Sequence, residues 1–301
     1  MRGIILAGGT GSRLFPITLA INKQLIPVYD KPMIYYPLTT LMLAGIREIL
    51  IITSPDCIPL FKNLLKDGSH LGLKICYATQ EKPNGLAEAF LIGRDFISQH
   101  PSAMILGDNI FFGHELVKKL SKAVSQTEGA TIFTHWVAEP NQYGVIKFNQ
   151  TNKIEKIIEK PKSAPSNWVV TGLYFFDQKV SKIAENVTPS ARGELEIVDI
   201  LNTYLKEEML RVEKLGRGYT WLDTGTPDGL LQAAQYVQTI EHRQGLKIAC
   251  PEEVATRMKF IQLNDLKKLA RNSSSVPYGK YLQYVADSFL DFYQDNSEID
   301  G

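Results

Sequence analysis

The stretch RGIILAGGTGSRLFP, Arg2 to Pro16, stops an apolar run at Gly8 and Gly9, then adds Thr10, Gly11 and, beyond Ser12, Arg13; Lys23 and Gln24 follow shortly after. Glycine turns the backbone through φ > 0 and lets a phosphate come close to successive N–H groups, which together form an anion-binding concavity. Neither of two familiar phosphate loops fits. The dinucleotide pattern G-x-G-x-x-G meets Leu14 where its last glycine should be, and no lysine stands where the P-loop requires one. A phosphate-handling loop edged by cations remains, with a tight structural turn after a buried strand as the alternative. Two carboxylates join it. SAMILGDN runs an apolar strand into Asp108, and WLDTGT presents Asp223 in a turn beside an aromatic residue and a glycine. Isolated carboxylates without a His/Cys cluster suit Mg²⁺, which binds oxygen and takes waters and substrate phosphates as its remaining ligands. Each aspartate taken alone reads equally well as a turn or capping residue.

These groups need a scaffold to place them. Over residues 1–240, short β-branched apolar runs alternate with helical patterns, the signature of βαβ units and a mainly parallel sheet. Strands are predicted at Gly3–Ala7, Ile49–Thr53, Lys74–Ala78, Ala103–Leu106 and Ala130–His135, and helices at Tyr36–Ala44, Ile58–Leu65, Leu86–Phe96 and Glu115–Ser125. EILIIT and SAMIL are apolar throughout, as suits a sheet covered on both faces. From about Val145, the runs VIKF, KIEKIIEKP and WVVTGLYFF predict a second, partly antiparallel layer. Thr226-Pro227-Asp228 marks a helix start, with a capping hydroxyl, proline at the first helical position and an acid in the first turn. That helix extends to about Arg243. Three more helical stretches follow, at Pro251–Met258, Asn264–Ala270 and Val276–Phe292. The expected fold class is α/β: a Rossmann-like mixed, mainly parallel sheet flanked by helices, with a C-terminal helical appendage. Residues 1–244 form the body, with a first half to about 140 and a second part over about 141–226, and residues 245–301 form the appendage.

The chain has 301 residues, 33 basic and 32 acidic side chains, a net charge of +1 and 44% hydrophobic residues. This balance supports a sizeable core and gives no global field for nucleic acid or a membrane surface. Cys57, Cys76 and Cys250 stand in no CxxC or metal pattern and read as reduced thiols of a cytoplasmic protein. None of the five histidines has a partner at metal-ligand or triad spacing.

GIILAGGTGSRLFPITLAINKQLIPVYDKPMIYYPL resembles the signature of the nucleotide-diphospho-sugar pyrophosphorylases, most closely their short tetrameric glucose-1-phosphate thymidylyltransferase branch. The likeness continues through YATQEKPNGLAEAF, ILGDNIFFGH, YGVIKF, EKPKSAPSNWVVTGLYFFD, RGELEIVDI, GRGYTWLDTGT and RQGLKIACPEE, nearly the whole chain. Ser12 replaces the usual threonine and keeps its hydroxyl. The resemblance implies transfer of a thymidylyl group from dTTP to glucose 1-phosphate, giving dTDP-glucose, a precursor of dTDP-L-rhamnose or related deoxysugars, with pyrophosphate released. Such chemistry needs no general base, because a phosphate monoester with a second pKa of about 6 already carries an ionised nucleophile. It needs cations, loop amides and Mg²⁺ to gather two polyanions.

By resemblance, Gly8, Gly9, Thr10, Gly11, Gln24 and Arg13 would hold the nucleotide, and Lys23 would bridge phosphates at the reacting centre. Gln80 and Gly85 would read the base, and Asp108 and Asp223 would bind Mg²⁺. Asn109, Gly144, Glu159 and Val170 would contact the sugar, Lys160 and Arg192 would grip its phosphate, and Tyr174 and Trp221 would wall the pocket. Other readings stay open for some of these residues. EKIIEKPK also fits a solvated charged strand, RGELE a helix start in which Glu194 and Glu196 complement the dipole, and Tyr174 a core aromatic. The resemblance further implies a homotetramer with feedback inhibition by dTDP-L-rhamnose at a site around the helical tail. The same chemistry on another triphosphate or sugar phosphate, or a non-catalytic nucleotide-sugar sensor, are the competing functions.

Overall fold

Consecutive apolar positions give a strand two buried faces, and the strands richest in them lie at the centre of a nine-stranded sheet. The computed structural model describes residues 1–293. In chain order the strands are β1 (Arg2–Leu6), β2 (Pro27–Val28), β3 (Lys31–Pro32), β4 (Glu48–Thr53), β5 (Lys74–Thr79), β6 (Ser102–Leu106), β7 (Asn109–Gly113), β8 (Ala130–Trp136), β9 (Gly144–Phe148), β10 (Ile154–Glu159), β11 (Trp168–Phe176), β12 (Leu210–Leu215) and β13 (Tyr219–Asp223). The sheet order is β10-β9-β11-β6-β1-β4-β5, with β8 also on β11 and β12 beside β8. Pairing is parallel from β6 through β1 and β4 to β5, and antiparallel where β11 meets β6, β8 and β9.

Alternate residues of each central strand serve opposite cores. Ile5, Ile51 and Ile105 pack with Leu38, Leu41 and Phe61, whereas Ile4, Ile52 and Met104 pack with Phe90, Ile97 and Leu201. Each such burial contributes about 1.5–3 kcal/mol. The α/β expectation holds, with two corrections. The runs VIKF, KIEKIIEKP and WVVTGLYFF form no second layer; as β9, β10 and β11 they extend the same sheet, because β11 pairs directly with β6. The helix expected over Leu86–Phe96 is two short ones, Glu88–Ile92 and Arg94–Ile97, broken at Gly93. A Cβ there would lie 3.1 Å from Ile4 and 3.3 Å from Leu50, so the chain presses glycine against the sheet.

The predicted helix start at Thr226 is present: its Oγ1 accepts from the Gly229 N–H at 3.1 Å, and the helix runs Pro227–Gln244. Helices Pro251–Arg257, Leu263–Asn272 and Pro277–Tyr293 follow. The first of these packs against the Tyr35–Leu43 helix, with Val254 and Ala255 in the sheet's own core. No described helix is long and apolar enough to cross a membrane.

A buried ion network ties this segment to the β2–β3 hairpin. Lys31 Nζ contacts Glu241 at 2.7 Å and Asp30 at 2.6 Å, and Glu241 also accepts from the Ile248 N–H at 2.9 Å. Removing one partner of such a buried pair strands the other's charge. Glu241→Ala is therefore expected to cost about 3 kcal/mol, toward the lower end of that principle's range because Asp30 stays on Lys31. A shift in the urea midpoint checks this, and an unchanged midpoint would refute it.

Candidate active site

In parallel α/β sheets ligands bind beyond the carboxyl ends of the strands. Leu6 at the end of β1 pairs with Leu106 at the end of β6, so the two following loops leave the sheet side by side. Gly107 N–H donates to the Leu6 carbonyl at 2.9 Å, and a Cβ on Gly107 would strike Gln24 at 2.7 Å. The glycine loop and Asp108 are thereby brought together. Gly9 and Gly11 have φ of +94° and +59°, the left-handed conformation that favours glycine. Gly9, Thr10 and Arg13 are exposed.

Lys23 opens a short 3₁₀ turn capped by Asn22, whose side chain accepts from the Gln24 N–H at 2.9 Å. The lysine is buried to 8% exposure and its Nζ bonds to the Asp108 carboxylate. Gln24 is buried as well, and its Oε1 has no hydrogen-bond partner among the described residues.

Asp223 arrives from the far end of the chain. It is the last residue of β13 rather than part of a turn, and β13 pairs with β7 so that Asp223 stands opposite Asn109. Thr224 reinforces the junction, its Oγ1 and N–H donating to the Asp108 carbonyl at 2.8 and 3.1 Å. Burial pushes the Asp223 carboxyl above its usual range and the charge of Asp108 adds to this, while Lys23 and Arg13 oppose it. A Cβ on Gly225 would lie 2.6 Å from Arg13 Nη2 and 2.9 Å from Asp223 Oδ1, so a side chain here would have to displace the guanidinium and the carboxylate.

Beyond these groups opens a cleft of about 250 Å³. Arg13, Asp108, Asn109, Gly144, Glu159, Lys160, Val170, Tyr174, Arg192, Trp221 and Asp223, all singled out in the sequence, line it. Gly8 to Gly11, Lys23, Gln24, Gln80 and Gly85 lie outside that lining, with Lys23 bonded to Asp108, Gly8 beside Gln80 and Gly85 against Leu195.

Several side chains are engaged otherwise than the sequence suggests. The Asn109 amide is largely engaged: Oδ1 accepts from Trp221 Nε1 at 2.6 Å and Gly172 N–H at 3.1 Å, and Nδ2 donates one hydrogen to Asp108 at 2.8 Å. It orients Asp108 while lining the cleft. Arg192 is gathered by carboxylates, with Nη2 2.8 Å from Glu196, 3.2 Å from Glu194 and 3.3 Å from Glu159. Glu194 and Glu196 thus serve a guanidinium more than a helix dipole. Lys160 is freer, 3.8 Å from Glu159. Burial raises the Glu159 carboxyl, against the pull of Lys160. Tyr174 is both core and wall, stacked on Phe176 while lining the cleft.

Tyr143 is a lining residue that sequence reasoning passed over, although it precedes Gly144 in YGVIKF. Its ring meets Trp221 edge-on at 5.1 Å, and burial with the nearby Asp223 charge lifts its phenol to about 12. Gln142, Thr171 and Gly172 also line the cleft without any local signal of their own.

The donor set suits a hard cation. Asp108 and Asp223 supply oxygen only, and among the described residues no cluster of three or more metal-type side chains exists. An ion here would take two protein carboxylates at most and leave room for phosphate oxygens and water, the preference of Mg²⁺.

A sequence model of the nucleotidyl transferase family matches residues 2–240. A glucose-1-phosphate thymidylyltransferase of Mycobacterium tuberculosis is 54% identical over 94% of this chain and 98% of its own. One of Xanthomonas campestris pv. campestris is 53% identical over 95% and 97%. Among solved structures, one from Bacillus anthracis described by the same activity superposes with a TM-score of 0.73 at 40% identity, covering 78% of this chain and 94% of that one. A UDP-glucose pyrophosphorylase bound to UDP-glucose reaches 0.70 at 27% identity, covering 79% and 98%. Matches of this length and identity, on a chain whose glycine loop and paired aspartates meet beyond the carboxyl ends of the central strands, place it plainly: it belongs to the nucleotidyl transferase family, among the glucose-1-phosphate thymidylyltransferases.

Proposed function

We propose that the chain transfers a thymidylyl group from dTTP to α-D-glucose 1-phosphate, giving dTDP-glucose and pyrophosphate. The observation that carries this reading is the β7–β13 pairing, which sets Asp223 beside Asp108 within reach of Lys23, Arg13 and the glycine loop. The amides of Gly8 to Gly11, exposed at Gly9 and Thr10, receive the triphosphate, and Arg13 meets its charge from across the loop. Lys23 lies at the reacting centre, already held by Asp108. The sugar enters the 250 Å³ cleft between Gly144, Glu159, Val170 and Tyr174. Lys160, held only by a 3.8 Å contact to Glu159, meets its phosphate, whereas Arg192 must give up a carboxylate to take part. The sugar phosphate then attacks the α-phosphorus in line and pyrophosphate leaves, with fixed cations stabilising the developing charge. Asp108 and Asp223 would hold Mg²⁺, which neutralises phosphate charge when bound.

On this reading residues 1–244 carry catalysis, with the nucleotide bound by about 1–140 and the sugar by about 141–226. Residues 245–301, of which 294–301 lie outside the described residues, supply contacts in a homotetramer and a site where dTDP-L-rhamnose inhibits.

The test is pyrophosphate release with Mg²⁺ and glucose 1-phosphate across dTTP, UTP, CTP, GTP and ATP, with EDTA as control. Fastest release with dTTP, abolished by EDTA and slowed by added dTDP-L-rhamnose, is expected from a species sedimenting as four chains. Fastest release with UTP would reassign the base. Silence from folded protein with every sugar phosphate tried would favour a non-catalytic sensor. A rate insensitive to dTDP-L-rhamnose would remove the regulatory limb alone.

A further inference from the structure

Gln80 follows the end of β5 and is buried to 6% exposure, yet its two amide ends meet different surroundings. Nε2 donates to Glu88 Oε2 at 2.7 Å and lies 3.4 Å from the Gly85 carbonyl. Oε1 accepts no hydrogen bond from any described residue, and a Cβ placed on Gly8 would lie 2.8 Å from it. The carbonyl end of the amide therefore faces the phosphate loop, unpartnered, while both N–H groups are directed at acceptors. Glu88 is itself anchored, since Asn84 Nδ2 donates to its other oxygen at 2.8 Å.

An ionised carboxylate can only accept hydrogen bonds. Whatever faces Glu88 at 2.7 Å must be the NH₂ of Gln80, and the oxygen must point the other way. We infer that Glu88 is a positioning residue for base selection: its carboxylate locks the Gln80 amide so that the site offers an acceptor, and so selects triphosphates whose base presents an N–H donor there. This rests on the reading in which Gln80 and Gly85 meet the base.

The Gly85 carbonyl lies 3.4 Å from Nε2, and the N–H of the same residue is bonded to no described acceptor, which leaves it as the donor on the backbone beside this amide. An acceptor beside a donor complements the imide edge of thymine or uracil, which offers N3–H next to a carbonyl. Cytosine carries the reverse pair on that edge, a bare ring nitrogen beside an amino group, and would set acceptor against acceptor and donor against donor. Unpaired buried polar groups are what make hydrogen-bonding sites strongly selective.

The Gly85 backbone is pinned. The Leu195 N–H donates to the Asn84 carbonyl at 2.6 Å, and a Cβ on Gly85 would sit 2.3 Å from the Leu195 carbonyl oxygen. With the Gly85 backbone held in this way, the Gln80 amide could still flip, and its bond to Glu88 is what opposes that.

Glu88→Gln tests the idea with almost no change in shape. A glutamine can donate or accept, so Gln80 is free to turn its NH₂ toward the base. The expected result is a fall of about tenfold or more in the ratio of kcat/KM for dTTP over dCTP, the equivalent of one inverted hydrogen bond. KM should carry the change, with kcat for dTTP within a few-fold of the parent protein and thermal unfolding unchanged. Glu88→Ala should move the ratio the same way and serves if the glutamine variant folds poorly. An equal loss with every triphosphate, at an unchanged dTTP to dCTP ratio, would make Glu88 a structural residue only and overturn the inference. Gln80→Ala separates the two levels of argument. If it too leaves the ratio untouched, Gln80 does not read the base at all; if it collapses the ratio while the Glu88 variants do not, only the role given to Glu88 fails.

Discussion

Lys23→Ala is expected to lower kcat/KM for dTTP by about a thousandfold or more, the scale found when a cation is removed from a phosphoryl-transfer centre. The ammonium group is placed by three independent constraints. Asn22 caps its turn, Gly11 passes with its own virtual Cβ 3.5 Å from the lysine Cβ, and the Asp108 carboxylate holds Nζ. Losing it deprives the transferring phosphate of a positive charge and leaves Asp108 to repel both Asp223 and the triphosphate. Most of the effect should appear in kcat, because the charge matters most as the leaving pyrophosphate develops. Folding should be much less affected, since the Asp108 side chain keeps 18% exposure to water and the Asn109 amide still donates to it. A variant within tenfold of the parent rate would show that Lys23 merely neutralises Asp108.

Asp223→Asn should be comparably damaging to turnover, by about three orders of magnitude, and opposite in its effect on stability. Burial and the Asp108 charge both disfavour the ionised carboxylate at position 223, outweighing Lys23 and Arg13. A carboxyl raised in the folded state contributes stability only while it is protonated, and that contribution is lost as pH rises through its folded value. At neutral pH and without metal the charged group therefore works against the fold. The amide of asparagine keeps an oxygen for the Gly225 N–H, 3.0 Å away, and removes the charge. The expected melting temperature in EDTA is equal to or above that of the parent, and added Mg²⁺ should raise it less than it raises the parent's. Near-normal turnover, or an undiminished response to Mg²⁺, would take Asp223 out of the metal site. Together the two variants separate the fixed cation of the site from the one that must be supplied.

Much of this arrangement was legible before any coordinates. Glycines at 8, 9 and 11 mark a turn that only glycine makes easily, and two of the three do have positive φ. SAMIL had to be a buried strand, so Asp108 had to follow a strand end. The Thr226 cap and the periods of the C-terminal helices were readable because caps and amphipathic faces are local. Other features were not. Leu86–Phe96 has an unbroken helical pattern, and the break falls at Gly93, where the sheet beneath leaves little room for a side chain. The β9, β10 and β11 runs look like strands of any antiparallel layer, and which sheet they join depends on β11 choosing β6 as its neighbour.

At the site the division is sharper. The sequence alone determined the chemical inventory: a bare anion-binding turn, a few cations, isolated oxygen ligands, and no nucleophile or histidine pair. Hydrogen-bonding type and charge belong to the residues themselves. Tertiary structure alone decided which of these groups remain available. Asn109 spends its amide on Trp221, Gly172 and Asp108, Arg192 spends its guanidinium on three glutamates, and Gln80 spends one end of its amide on Glu88. Asp223 becomes a partner of Asp108 only because β13 returns to β7, with Thr224 bonding a carbonyl 116 residues earlier in the chain. Such pairings join segments distant along the chain, and no local pattern of residues encodes them, because the free energy that selects them comes from contacts formed only once the sheet has closed.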